Sequence, residues 1–338
     1  MKKKLTIRDI ARLAGVSHTT VSRALNKDPR VRPQTAQKIL TVVEAQQYRL
    51  DGLARRFARG RSNLIGLMVS DIKNPFYAEL ARGIEDKALE LGYLVIICST
   101  DDQTDMLRRY TETVIGTGID GLIFASVRLT DPTVEKLIDE KFPLVMVNRR
   151  LKAEIGDYVV LDNRKGAFQL TIHLVKSGYR NIAIITGPED MSTATERLEG
   201  YRQAMKESRR PLKHNSIQHV NFSRREGFES AMKLLTGKNR PDAIFGGNDY
   251  IAMGIMDAAR HLNLGIPEDL SVVGFDDTEF AQSMQLTTVS QCKYDMGDLA
   301  VRILTNSIQH KNPEKVNRII LEPKLVIRKS SRASVDRS

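Results

Sequence analysis

The chain has 338 residues with 41% apolar side chains, which at roughly 100–200 residues per domain suits two or three domains; no apolar run reaches the ~18 residues a membrane span needs. Two cysteines, Cys98 and Cys292, exclude a disulfide framework and a cysteine metal cluster. Basic residues at the start give way to charge before any apolar h-region, so a reducing cytoplasm is expected, not secretion. The net charge is +11, and 15 of the 52 basic residues but only 4 of the 41 acidic ones lie in residues 1–62, leaving 37 of each in the rest. A neutral body with a basic head calls for a polyanion partner at the head.

The head carries three short helical patterns. Thr6-Ile7-Arg8-Asp9 forms a capping box, after which Ile7, Ile10, Leu13 and Ala14 are expected on one helical face. Gly15 suits a tight turn. Ser17 can cap a second helix with Val21, Ala24 and Leu25 inward. Pro33 suits the first turn of a third, striped by Ala36, Ile39, Leu40 and Val43. The second helix would present His18, Thr19, Ser22 and Arg23 outward. Polar residues near a helix start can touch base edges in the major groove, and Arg23 can pair with guanine. Thr6, Thr20, Asn26 and Arg30 are candidates for phosphate contacts that set the register. Residues 48–62 are basic, short and too poor in apolar surface for a core, so they read as a linker containing a marginal helix.

From Leu64 the pattern becomes α/β. Strands are predicted at Leu64–Val69, Leu94–Ser99, Gly121–Ala125, Leu144–Val147 and Tyr158–Leu161. They resume at Ile182–Thr186, Gln218–Phe222, Ala243–Gly246 and Ser271–Phe275. Helices fall between, the first with Phe76, Leu80, Ile84, Ala88 and Leu91 on one side. This alternation argues for two parallel-sheet subdomains, with ligands bound outside the carboxyl ends of the strands.

The string from Ile7 to Asn26 resembles the N-terminus of the lac repressor/GalR (LacI) family of bacterial regulators. The match continues through Tyr48, Leu64-Ile65-Gly66-Leu67, Asn74-Pro75-Phe76-Tyr77, Gly121-Leu122-Ile123 and Asp162-Asn163. Further on come Arg197-Leu198-Glu199-Gly200-Tyr201, Gly247-Asn248-Asp249, Val272 through Asp277, and Leu286-Thr287-Thr288-Val289. The resemblance implies an all-α helix-turn-helix headpiece (1–48) and a hinge helix (49–62). It also implies an α/β periplasmic-binding-protein-like core (63–329) of two doubly wound parallel-sheet subdomains, 63–162 plus 292–329 and 163–291. Residues 330–338 read as a polar tail without heptads, so a homodimer is expected.

The same resemblance implies a pseudo-palindromic double-stranded operator as partner. Ser17, Tyr48 and Ala54 join the DNA-contacting set, and Phe57 stands where the hinge inserts a side chain into the minor groove. Phe57 also suits a domain-docking anchor. The family's usual Pro-Asn pair before the hinge is Leu50-Asp51 here, followed by Gly52. In the core, the resemblance implies a small sugar-like effector held by Asn74, Phe76, Arg197, Phe222, Asn248 and Asp276. Asp276 also suits a turn cap, and Phe76 suits plain core. Arg149 is a further candidate. It follows Asn148, where the family often has Asp, which opens the expectation of an acidic effector such as a sugar acid.

An enzyme and a transport-type sugar-binding protein are the competing readings. Gly116-Thr117-Gly118-Ile119-Asp120-Gly121 follows a helix and leads into a strand, the reverse of a dinucleotide fingerprint. No catalytic motif, cofactor motif or metal spacing appears, so no catalytic, cofactor or metal site is expected. The fused basic head argues against the transport protein.

Overall fold

The computed structural model describes residues 5–25, 28–46, 62–213, 215–310 and 316–333. The chain divides into two units, residues 1–62 and 63–338. The expected hinge helix, and with it Tyr48, Ala54 and Phe57, lies outside the described residues, as does Asn26.

The head is α1 (Ile7–Ala14), α2 (His18–Leu25) and α3 (Pro33–Ala45). Their shared core is Ile10, Ala11, Ala14, Val21, Ala24 and Ile39. Leu13 is 53% exposed and Leu40 is also exposed, contrary to expectation. Ile10, Ala11 and Ala14 set the buried stripe of α1, and at 100° per residue Leu13 falls beyond its edge. Leu40 is displaced in the same way from the side of α3 that buries Ile39. Gly15 closes α1 at φ 66°, a left-handed turn its missing Cβ permits.

The larger unit begins β1 (Leu64–Val69), α4 (Pro75–Glu90), β2 (Leu94–Ser99), α5 (Thr104–Gly116), β3 (Gly121–Phe124), α6 (Pro132–Asp139), β4 (Leu144–Val147) and β5 (Asp157–Leu161). It continues α7 (Asn163–Lys176), β6 (Ile182–Thr186), α8 (Ser192–Glu207), β7 (Ile217–His219), α9 (Arg224–Leu235), β8 (Ala243–Gly246), α10 (Asp249–His261) and β9 (Ser271–Val273). It ends α11 (Glu279–Ser283), β10 (Thr288–Ser290), α12 (Lys293–Gln309), β11 (Arg318–Leu321) and β12 (Lys324–Val326).

A six-stranded parallel sheet runs β11-β5-β4-β3-β1-β2 and a four-stranded parallel sheet runs β7-β6-β8-β9. Strands β3, β4, β5, β6 and β8 are buried throughout, as parallel strands covered by helices on both faces must be. After the second sheet the chain pairs β10 with β12 and sends β11 back beside β5.

Further details depart from the sequence reading: β3 and β9 end at Phe124 and Val273, short of the predicted Ala125 and Phe275. Strand β7 stops at His219 instead of reaching Phe222, because Asn221 turns to bond Glu226 and Ser223 caps α9. Leu91 is exposed, since it caps α4 beyond the last turn facing the sheet. The expected polar tail starts too early: Ser330 is 2% exposed, its hydroxyl donates to the Val272 carbonyl at 2.6 Å, and Ser331 is buried against His173 and Thr287.

Candidate DNA-reading surface and effector cleft

In the head, local chemistry positions the reading helix. Thr6 and Asp9 close a reciprocal box at the start of α1, with Thr6 N–H donating to Asp9 at 2.9 Å. The Ser17 hydroxyl accepts the Thr20 N–H at 3.1 Å and meets the Thr20 hydroxyl at 2.9 Å. Ser17 is therefore the cap of α2 and orients its first turn. That turn holds no acidic residue, so the helix N-terminus stays receptive to an anion. Thr6, Ser17, His18, Thr19 and Arg23 are exposed, while Thr20 and Ser22 are half-buried. Arg30 is exposed but already forked onto Asp28, with Nη2 to Oδ2 at 2.7 Å.

In the larger unit, loops at the carboxyl ends of the strands meet around a cavity of about 400 Å³ of empty space, part of it open to solvent. The structure brings all seven expected residues to it: Asn74, Phe76, Arg149, Arg197, Phe222, Asn248 and Asp276. Asn74 and Asn248 cap α4 and α10, and their Oδ1 atoms accept Phe76 N–H at 3.0 Å and Ile251 N–H at 2.9 Å. Each carbonyl is thereby committed, leaving the amide –NH₂ to face a ligand. Phe76 both lines the cavity and packs edge-on against Tyr77 at 5.1 Å between ring centroids.

Arg197 is 2% exposed and has a partner at each of its three nitrogens. Its Nε donates to Asn163 at 2.9 Å and Nη1 to the Gly247 carbonyl at 2.7 Å. Nη2 stands 3.5 Å from Asp276, and the guanidinium lies 3.8 Å over the Phe275 ring. Reaching Asn163 requires α8 to lie close on α7. One turn on, a Cβ at Gly200 would fall 2.2 Å from the Arg164 carbonyl, so only glycine permits that approach.

Asp276 adopts φ 120° after β9, accepts from Gln291, and receives the Lys293 ammonium on its carbonyl at 2.7 Å. Burial pushes the Asp276 carboxyl up against the pull of Arg197 and Lys293. Behind it Asp249, wholly buried, takes Thr278 N–H at 2.8 Å and the Thr278 and Thr288 hydroxyls at 2.9 and 2.8 Å. Burial and the neighbouring Asp276 charge push Asp249 up to about 7.

Sequence reasoning missed Ser70, Asp71, Tyr77, Asp102 and Thr193, which also line the cavity. Asp102 changes the reading of Arg149 most. Arg149 Nη1 donates to Asp102 Oδ1 at 2.6 Å, and the guanidinium lies 5.6 Å from the Phe222 ring centroid. Burial opposes the charge on both, yet their mutual attraction wins: Asp102 is held below the usual carboxylate range and Arg149 above its own. The cavity wall carries three carboxylates, Asp71, Asp102 and Asp276, against two guanidiniums. It has no positive excess, so the expected preference for an acidic effector loses its basis. The wall combines amide donors, carboxylate acceptors and the flat faces of Phe76 and Phe222, a lining suited to a compact hydroxyl-bearing molecule.

Residues 62–329 match the family described as periplasmic binding proteins and sugar binding domain of LacI family, and residues 6–50 match bacterial regulatory proteins, lacI family. The chain is 38% identical to the HTH-type transcriptional regulator DegA of Bacillus subtilis, over 97% of this chain and 98% of that one. Among solved structures it is similar to the lac repressor dimer bound to operator and the anti-inducer ONPF, with TM-score 0.84, 26% identity and coverage of 98% and 100%. It is also similar to the transcriptional regulator CelR–cellobiose complex, with TM-score 0.74, 28% identity and coverage of 97% and 100%. A headpiece and a sugar-binding-type core in one continuous match place this chain in the lacI family of bacterial regulatory proteins.

Proposed function

We propose that this chain is a cytoplasmic transcriptional repressor that binds a pseudo-palindromic operator as a homodimer and senses a small, largely uncharged polyol or sugar in the cleft. The observation that carries the reading is the joining, in one chain, of an exposed polar reading helix and a cleft walled by paired charges and aromatic faces. In this reading Ser17, His18, Thr19, Ser22 and Arg23 face base edges, Thr6, Thr20 and Arg30 face phosphates, and the headpiece, hinge and core divide at about residues 48 and 62. Arg197 and Asp276 would hold ligand hydroxyls, Asn74 and Asn248 would donate to them, and Phe222 would stack on a sugar face. The activity is binding and not catalysis.

In this reading, bonds across the cleft link occupancy to DNA binding. Arg128, after β3, pairs with Asp190, after β6; Tyr250 of α10 donates to the Lys73 carbonyl at 3.0 Å; Arg150 pairs with Glu196 of α8 at 3.0 Å. A ligand that favours one angle between the two lobes shifts the balance of these contacts, and such coupling is typically worth about 1–3 kcal/mol. The test is selection of genomic fragments by the purified protein at fixed salt, then titration of the recovered operator with and without neutral sugars. Recovery of a short pseudo-palindrome whose affinity responds to a neutral sugar supports the reading. Salt-dependent binding without a consensus, unchanged by metabolite pools, would overturn it.

A further inference from the structure

Asn181 and Ser216 immediately precede β6 and β7, Pro241 lies two residues before β8, and together they mark the amino-terminal edge of the four-stranded sheet. There they line a second cavity of about 820 Å³ of empty space, partly open to solvent. The effector cleft takes Phe222, Asn248 and Asp276 from beyond the opposite, carboxyl ends of the same sheet, so the two sites are separate.

Three lysines converge on this second cavity from different parts of the chain: Lys213 before β7, Lys233 on α9 and Lys238 in the loop after it. No Asp or Glu stands among its described lining residues. The nearby acid, Asp242, is committed to the backbone N–H groups of Arg180 and Asn181 at 2.8 and 2.9 Å. Some other lysines of this unit are paired with acids, Lys87 with Asp298, Lys165 with Glu322 and Lys293 with Glu79. Ammonium groups around a concave low-dielectric wall focus a positive potential into it, and a lysine binds phosphate as a mobile point charge. Asn215 and Ser216 in the same wall add neutral polar groups.

We propose that this cavity binds a small polyanion carrying two phosphoryl groups or equivalent charge, independently of the effector cleft. The charge count sets the class: three ammonium groups, with no Asp or Glu among the described lining residues, match a doubly phosphorylated ligand better than a single carboxylate.

The test is calorimetric titration of the full-length protein with inorganic pyrophosphate, free of divalent cations and at fixed chloride. One saturable site is expected. The combined variant Lys213→Gln/Lys233→Gln/Lys238→Gln should bind about tenfold more weakly for each lysine removed. A charge-matched variant, Arg109→Gln/Lys152→Gln/Lys176→Gln, alters exposed residues outside the cavity and should keep the wild-type affinity. Unchanged binding in the cavity variant would mean that the basic head or the effector cleft holds the anion. Equal loss in both variants would mean diffuse surface attraction. Either result, or no saturable binding by the wild type, overturns the proposal. Should the combined variant fail to fold, Lys233→Gln alone, an exposed change, carries the test: a tenfold loss supports the site and no loss refutes it.

Discussion

Arg149 and Asp102 stand 47 residues apart in sequence yet meet at 2.6 Å in the wall of the cleft, Nη1 to Oδ1. The guanidinium is buried, so removing its counter-charge would leave a cation without a partner in a low-dielectric wall. In the proposed reading the pair presents a neutral dipole to the ligand. Asp102→Asn should weaken binding of a neutral sugar by about tenfold and shift preference toward its acid, since a freed guanidinium attracts a carboxylate; each tenfold change corresponds to about 1.4 kcal/mol. Calorimetry with a sugar and its corresponding acid measures the ratio. An unchanged ratio would show that Arg149 does not face the ligand.

Arg197 holds Asn163, the Gly247 carbonyl and Asp276 at once. Arg197→Ala removes the buried cation that holds all three groups and should destabilise the larger unit by about 3–5 kcal/mol. Denaturant unfolding reads the loss. Operator titration of the folded variant should show no response to ligand, with DNA affinity retained through α2. A normal ligand response would sink the proposed cleft chemistry.

Asp249 imposes a pH slope. Its folded value, about 7, lies above the ordinary carboxylate value, so the folded state holds a proton that the unfolded state has released. The resulting stability is fully present below the unfolded value and is lost as pH rises through about 7. Asp249→Asn keeps a carbonyl for Thr278 and an amide toward Thr288, and should remove that part of the slope. Unfolding free energies of both proteins at pH 5 and pH 7.5 check it: the wild type should lose more stability between the two than the variant.

Ser17 and Arg23 do different work on the same helix. Ser17→Ala removes the cap of α2 and should cost about 1 kcal/mol of head stability, weakening all DNA alike. Arg23→Ala leaves the helix intact and should cost about 1–3 kcal/mol on operator only, relaxing preference at one base pair. Binding to operator and to random duplex at one salt concentration separates the two. Equal losses on both DNAs for Arg23→Ala would assign that arginine to phosphate.

Arg128 ties the lobes, pairing with Asp190 across the cleft while its Nη2 donates to the Asp102 carbonyl at 2.6 Å. Arg128→Ala should raise the effector dissociation constant several-fold, roughly 1 kcal/mol for a part-exposed pair, while operator binding without ligand changes little. A double-mutant cycle with Asp190→Ala measures the coupling, and additivity would remove the pair from the closing device.

Much of the fold was legible because its signals are local. Thr6, Gly15, Ser17 and Pro33 punctuate the head by chemistry acting within three or four residues. Apolar runs such as Leu64–Val69 declare buried parallel strands wherever they end up. The departures, Leu13, Leu40 and Leu91, are residues at the edge of a helical stripe, where a partner element decides whether an apolar side chain is covered.

Six of the seven cleft residues were reachable through resemblance, since family motifs mark the strand ends, and Arg149 through its place after a strand. Their partners were not. Asp102 and Arg149, Asn163 and Arg197, and Asp276 with Gln291 join loops and helices whose contact depends on how the sheets and lobes pack. Sequence alone determined that a basic reading head is fused to a neutral α/β body, because caps, periodicity and charge location act along the chain. Tertiary structure decided that the cleft wall is charge-paired and that lysines gather at the far edge of the second sheet. Electrostatics depends on distance in space, and only the packed fold sets those distances.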